Sequence, residues 1–134
     1  MIIGKFTEKF TGYFYFLFRI LVGFFFFQHG AQKLFGWFTE NGSVQLASLM
    51  GVAGVIEFFG GILLIVGLFT RLVAVISAIE MLVAYFKAHF PSGWIPIANK
   101  GELALLFFAA FLILTIYGAK KWSLEKALLK KEIF

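Results

Sequence analysis

The 134-residue chain is 61% hydrophobic and only 14% charged, whereas an ordinary soluble domain is about 45–50% apolar and about 25% charged. This composition indicates a membrane protein. The net charge of +5 does not indicate nucleic-acid binding, because the basic residues lie at the ends of apolar stretches and form no basic patch. The absence of cysteine excludes disulfides, thiolate chemistry, iron–sulfur clusters and cysteine-ligated zinc.

Four apolar stretches follow one another along the chain, at about residues 12–35, 46–68, 72–90 and 101–118. Each comes close to the ~30 Å thickness of the hydrocarbon layer at ~1.5 Å of rise per residue. The short connections between them require neighbouring helices to run antiparallel. We therefore expect an all-α fold, a polytopic membrane four-helix bundle that forms a single domain over residues 1–134.

Lysine and arginine are distributed unequally between the two sides of this predicted bundle. The N-terminus, the second connection and the C-terminal segment carry Lys5, Lys9, Arg71, Lys120, Lys121, Lys126, Lys130 and Lys131. The first and third connections carry Lys33, Lys87 and Lys100. The positive-inside rule then predicts that both termini are cytoplasmic. Residues 123–131 are predicted to form a short amphipathic helix on the inner membrane surface, with Ser123 as its N-cap.

Three charged residues, Arg19, Glu57 and Glu80, lie well inside the predicted spans. A charge near the bilayer centre costs about 2.5–3.5 kcal/mol even on the lenient insertion scale. Helical periodicity places each of them on a face with small residues, which is typical of helix contacts in membranes. We expect them to meet as a buried ionic cluster or proton relay, in which one glutamate holds a proton. A structural bridge that only fixes the helix register is the alternative.

A second polar cluster is predicted nearer the outer ends of the same helices. His29 and Lys33 lie one helical turn apart, Glu102 opens the fourth helix at the same depth, and Lys87 lies on the same side. Snorkelling of the lysines to the membrane surface would explain these positions without any binding role. A pocket for a polar headgroup, such as a quinone carbonyl or a small anion, would also use an imidazole and an amine beneath aromatic rings.

The two histidines do not favour a haem or metal site. His89 lies about 180° around the third helix from Glu80, so it is predicted to point away from the interior. A metal site built from His29, His89 and Glu102 would lack the close ligand spacing of known sites. Neither haem nor a metal ion is therefore expected.

Several motifs in this order resemble the DoxX family of small four-helix membrane proteins. The resemblance rests on Arg19, FFFFQHGAQKLFG (24–36), GVAGVIEFFGGILLIVGLFTR (51–71), EMLVAYFKAHF (80–90), KGELALLFF (100–108) and WSLE (122–125). Positions that match the family pattern are Arg19, His29, Gly30, Lys33, Glu57, Gly60, Gly61, Arg71, Gly101 and Glu102. The tail departs from the pattern, because Glu125 follows Ser-Leu where relatives tend to have aspartate.

The resemblance implies an inner (plasma) membrane protein, with relatives that act as membrane subunits of thiosulfate:quinone oxidoreductase or of oxidative-stress complexes. We therefore expect a quinone-interacting subunit that acts beside a soluble or membrane oxidoreductase partner. Membrane lipids would surround it, and a homo-oligomer is also possible. His29, Lys33, Glu102 and Lys87 would bind the quinone headgroup. The alternatives are a small proton-coupled transporter or channel, or a non-catalytic scaffold that docks a redox enzyme.

Overall fold

The computed structural model describes residues 1–134 and contains helices but no strands, which confirms the predicted all-α class. The helices are α1 (Ile2–Phe35), α2 (Leu49–Val66), α3 (Thr70–Ala84), α4 (Pro96–Asn99), α5 (Glu102–Tyr117) and α6 (Leu124–Leu129). A π-helical turn, Tyr85–His89, and a 3-10 turn, Phe90–Ser92, extend α3. Three helices are long and apolar enough to cross a membrane, namely α1, α2 and α3 with its extension, whereas α5 has 16 residues.

Helix α1 begins at Ile2 and not near residue 12, so it is longer than predicted. The polar residues before its apolar part are compatible with a helix, because their hydroxyls bond back to the preceding turn. Thr7 donates to the carbonyl of Ile3 at 3.1 Å, and Thr11 donates to the carbonyl of Thr7 at 3.2 Å. No proline interrupts this stretch, so the helix extends beyond the apolar part.

Capping residues determine where α2 begins and ends. The Ser48 hydroxyl accepts a hydrogen bond from the backbone N–H of Gly51, so α2 begins three residues later than its apolar stretch. Gly67 ends the helix in a left-handed conformation with φ of 72°. This conformation suits glycine because it has no Cβ, and it allows the immediate turn into α3.

Glycines bring α1 and α2 into close antiparallel contact. A Cβ on Gly30 would collide with the backbone of Phe58, and a Cβ on Gly61 would collide with the backbone of Phe27. Gly60 is less constrained, since its Cβ would lie 3.3 Å from the side chain of Val73. Small residues allow this approach of helix backbones, as is usual for helices that pack in membranes.

The remaining helices complete one packed core. Helix α3 packs against α5 and α2, and the largest apolar side chains in the interior are Phe26, Leu64, Phe111 and Leu114. Residues 36–48 and 91–101 connect the helices at one end, named here the cavity end. The opposite end, named the tail end, contains residues 67–69 and the C-terminal tail, residues 118–134.

The tail packs onto the helices through specific hydrogen bonds. The carbonyl of Gly67 accepts hydrogen bonds from the Ser123 hydroxyl at 2.9 Å and from the backbone N–H of Glu125 at 3.1 Å. Ser123 also caps α6 by accepting from the backbone N–H of Lys126. The Glu125 side chain is fully buried and accepts from the backbone N–H groups of Ile133 and Phe134. The tail is therefore held against the helices by hydrogen bonds.

Candidate functional site

An ion pair joins α1 to α2 near the cavity end. The Lys33 ammonium donates to both carboxylate oxygens of Glu57, with an Nζ–Oε1 distance of 2.6 Å. The Glu57 side chain is only 3% exposed and that of Lys33 is 18% exposed. Such burial strengthens the pairing and makes either charge costly if its partner is lost. The sequence predicted that both residues face the interior, but it did not predict that they pair.

A cavity of about 250 Å³ lies beside this ion pair, between α1, α3 and α5. Its walls combine aromatic and aliphatic side chains with a few polar groups. The lining residues are Phe26, His29, Lys33, Glu57, Met81, Ala84, His89, Lys100, Leu103, Ala104 and Phe107. Mostly apolar walls with a few convergent polar groups are typical of sites for small organic ligands.

His29 contributes an imidazole with free hydrogen-bonding capacity to the cavity. Its ring packs edge-on against the ring of Phe107, with centroids 5.8 Å apart, and forms no hydrogen bond within the chain. The ring is half-buried. A neutral imidazole has one donor and one acceptor nitrogen, so His29 can bond a ligand in either sense.

His89 also lines the cavity, so the prediction that it points away from the interior is wrong. The prediction assumed α-helical periodicity throughout, whereas residues 85–89 form a π-helical turn. A π turn contains more residues than an α turn, and it therefore changes the direction of every side chain after it. The Nδ1 atom of His89 lies 3.2 Å from the carbonyl oxygen of Asn99, which fixes the ring.

Asn99 and Lys100 belong to the cavity end and were missed as functional candidates. The buried Asn99 amide donates to the Tyr85 hydroxyl at 3.1 Å and to the carbonyl of Gly93 at 2.8 Å. Its carbonyl oxygen accepts from the backbone N–H of Gly101 at 2.8 Å. The Asn-Lys-Gly turn before an apolar helix was the available signal. Sequence alone does not show that the amide turns inward.

Glu102 and Lys87 do not line the cavity, which corrects their predicted place in the polar cluster. Glu102 is exposed at the first position of α5, where the positive end of the helix dipole stabilises its negative charge. Lys87 is exposed on the other side of α3 and lines a separate apolar groove between α2 and α3. Of the four residues predicted to contact a headgroup, His29 and Lys33 line the cavity, and Glu57 lines it beside them.

Glu80 lines this groove, which has a volume of about 330 Å³. Its Oε2 atom is buried without a hydrogen-bond partner. Ala84 lines both the cavity and the groove, so only a thin wall separates them.

Arg19 forms no ion pair with either glutamate, which corrects the predicted cluster of three. Its guanidinium donates to four backbone carbonyls at the tail end, those of Ile65, Ala119, Lys121 and Trp122. The stagger of the helices explains the difference: Arg19 lies level with Ile65, eight residues and therefore ~12 Å along α2 from Glu57. Arg19 thus attaches the tail to the helices, and its fully buried charge is stabilised by carbonyl dipoles.

Comparisons of the sequence with known proteins identify several relatives. The chain is 43% identical over 131 residues to an uncharacterized protein of Haemophilus influenzae, covering 92% of this chain and 97% of that protein. It is 30% identical to a Bacillus subtilis protein named "Putative oxidoreductase CatD", over 85% of this chain and 86% of that one.

An uncharacterized membrane protein of Mycobacterium tuberculosis is also 30% identical, over 84% of this chain and 80% of its own. No solved structure matches the chain significantly. The sequence model of the DoxX family matches residues 14–90, which contain α2, α3 and most of α1. The chain is therefore a membrane protein that belongs to the DoxX family.

Proposed function

We propose that this protein is a quinone-interacting membrane subunit of an oxidoreductase complex. The observation that carries the proposal is the free imidazole of His29 beside the Lys33–Glu57 ion pair in a mostly apolar cavity. A quinone has a flat ring between two carbonyl oxygens, and it suits aromatic walls with a few donors. The name of the Bacillus subtilis relative agrees with a redox role.

The polar groups of the cavity would have distinct tasks toward such a headgroup. His29 would donate to one carbonyl oxygen, and the ring of Phe107 would hold the imidazole edge in place. Lys33 would add positive charge near the second oxygen while Glu57 keeps the ammonium in position. When bound, a quinone supplies reversible two-electron, two-proton transfer, and an oxidoreductase partner would supply the electrons.

The apolar part of the site would be provided by Phe26, Met81 and Phe107. Aromatic rings can stack on a quinone ring, and the thioether of Met81 is a polarisable contact. The polar side of the cavity would orient the headgroup, and the apolar side would exclude water from it. This division matches small-molecule sites that are mainly apolar with a few placed polar groups.

The proposed topology has four spans, α1, α2, α3 and α5, with both termini in the cytoplasm of an inner-membrane protein. The uncharged sequence from Leu103 to Tyr117 supports a span at α5, and the lysine distribution supports the orientation. The chain has no cysteine, so a single one can be introduced as a label site. An impermeant maleimide should label Asn41→Cys in intact cells and spare Lys130→Cys; the opposite result would invert the topology.

Quinone retention is the direct test of the proposed function. The full chain is purified in mild detergent, and its bound lipids are extracted and identified by mass spectrometry. A short-chain ubiquinone or menaquinone analogue is then titrated into the delipidated protein, with thermal stabilisation as the readout. We expect quinone to co-purify with the protein and the analogue to bind saturably. Binding of the analogue should be at least about tenfold weaker in His29→Leu, because this variant loses a hydrogen bond to the ligand.

His89→Leu tests the second histidine of the cavity. Unlike His29, His89 already has a hydrogen-bond partner within the chain, the carbonyl of Asn99. The matched control is Lys87→Gln, which removes an exposed charge outside the cavity. Equal weakening of analogue binding in Lys87→Gln and His29→Leu would show that the effect is not specific to the cavity. No retained quinone together with no analogue binding would refute the proposed function.

A proton-coupled transporter is the second candidate, and the two carboxyl groups inside the helices, those of Glu57 and Glu80, favour it. Glu57 lines the cavity and Glu80 lines the groove, and these lie on different sides of α3. Ionisable pairs inside membrane helices are common in proton pathways. Proton flux into liposomes that disappears in Glu80→Gln would support this candidate, whereas quinone retention without flux supports the first.

A further inference from the structure

The tail end contains a positively charged cleft that the proposed quinone site does not use. This tail cleft has a volume of about 540 Å³ and is lined by Arg71, Tyr117, Lys120, Lys121, Lys126 and Glu132. Four cationic side chains and one carboxylate leave an excess of three positive charges. A concave surface of one sign concentrates oppositely charged ligands. The cleft is therefore suited to an anion.

The cleft already binds a carboxylate of its own chain. Glu132 Oε2 lies 3.4 Å from Nη1 of Arg71, and Glu132 Oε1 accepts a hydrogen bond from the backbone N–H of Lys120 at 2.8 Å. A guanidinium together with a backbone N–H is a common donor pair for phosphate as well as for carboxylate. Glu132 therefore marks a position that phosphate oxygens can take.

Two lysines of the cleft lie over aromatic rings near the ends of the apolar helices. The Lys120 ammonium lies 5.3 Å from the centroid of the Tyr117 ring. The Lys121 ammonium lies 4.6 Å from the Tyr13 ring and 5.0 Å from the Trp122 ring. Tyrosine and tryptophan are enriched at the depth of lipid headgroups, so the cleft lies at that depth. This position distinguishes a lipid phosphate from a solute phosphate.

Exposed apolar side chains extend from the cleft along α5. Leu112, Ile113 and Ile116 are all exposed on the last turns of this helix. In a membrane these side chains contact acyl chains. A ligand with a phosphate and hydrocarbon chains would thus contact the cationic cleft with its phosphate and the apolar face of α5 with its chains.

We propose that the tail cleft is a binding site for the phosphate of an anionic phospholipid headgroup. The phosphate contacts Arg71, Lys120 and Lys121 and competes with the carboxylate of Glu132. The lining carries three more positive than negative charges, so a bound headgroup with two negative charges still leaves the cleft net positive. The site does not depend on the identity of the ligand in the cavity, which lies at the opposite end.

Native mass spectrometry of the full chain in detergent tests this site. Phosphatidylglycerol and phosphatidylcholine with identical acyl chains are titrated separately, and bound lipids are counted. The double variant Lys120→Gln/Lys121→Gln should bind phosphatidylglycerol roughly tenfold or more weakly, since each lysine near an anionic lipid contributes substantially. The matched control, Lys130→Gln/Lys131→Gln, removes the same charge from the same tail outside the cleft and should bind normally.

Glu132→Gln supplies an effect of opposite sign, because it removes the competing carboxylate. This variant should bind phosphatidylglycerol more tightly than the unchanged protein, and circular dichroism should show the same helicity in all variants. Equal binding of the two lipids, or an equal loss in the control variant, would refute the site. Full displacement of the lipid by equimolar glycerol phosphate would identify a site for soluble anions and overturn the assignment to a lipid.

Discussion

Lys33 and Glu57 form an ion pair across the close contact between α1 and α2, with an Nζ–Oε1 distance of 2.6 Å. The pair lies between the small residues that allow that contact, Gly30 on α1 and Gly54 and Gly61 on α2. It also lines the cavity beside His29. One pair of side chains therefore links the packing of α1 and α2 to the polarity of the candidate site.

Breaking this ion pair from one side should destabilise the protein strongly. Glu57→Leu leaves the Lys33 ammonium largely buried without a partner, and loss of one partner of a buried pair costs about 3–5 kcal/mol. The double variant Lys33→Met/Glu57→Leu should recover most of that loss, because it removes both charges. Reversible unfolding in mixed micelles measures the cycle. Additive effects of the two substitutions would show that the residues do not interact in the folded protein.

The contact between α1 and α2 can be tested independently of charge. Gly30→Ala places a Cβ against the backbone of Phe58, which cannot move without separating the helices. Overpacking of this kind costs about 1–3 kcal/mol. Gly4→Ala is the matched control in the same helix, because its Cβ would meet nothing within 4 Å. We expect a lower unfolding temperature for the first variant only; equal unfolding temperatures would contradict the close contact.

The sequence predicts the faces of these helices better than the partners of their charged residues. The glycines around Glu57 predict correctly that it faces protein, since helical periodicity determines which side chains share a face. Periodicity does not determine the stagger of one helix against another. The predicted partner, Arg19, is therefore replaced by Lys33. That stagger depends on the packing of the helices, including the close contacts of Gly30 and Gly61.

His89 illustrates a second limit of sequence periodicity. A regular helix would direct it away from the cavity, but the π turn at residues 85–89 brings it to the cavity wall. The turn is followed by Pro91, whose missing N–H and ring disfavour a continued α-helix. Proline indicates where the helix ends, but it does not indicate how the preceding turn widens.

Arg19 should hold the tail against the helices through its planar array of donors. Arg19→Lys keeps the charge but cannot reach the carbonyls of Ile65, Ala119 and Trp122 at once, because an ammonium is compact. Hydrogen–deuterium exchange over residues 118–134 should become at least about tenfold faster in this variant, corresponding to about 1.4 kcal/mol of lost local stability. Exchange in α3 should remain unchanged. Unchanged tail exchange would show that Ser123 and Glu125 suffice to hold it.

Asn99 should determine the shape of the cavity without contacting its ligand. Asn99→Ala removes the hydrogen bonds to Tyr85, Gly93 and Gly101. Each buried polar group that loses its partner lowers the folding stability by at most about 1–3 kcal/mol. The wall formed by residues 85–101 should then exchange hydrogen faster, and quinone-analogue binding should weaken. Asn41→Ala, in an exposed connection, is the control and should change neither measurement. Faster exchange with unchanged analogue binding would show that the ligand does not depend on this wall.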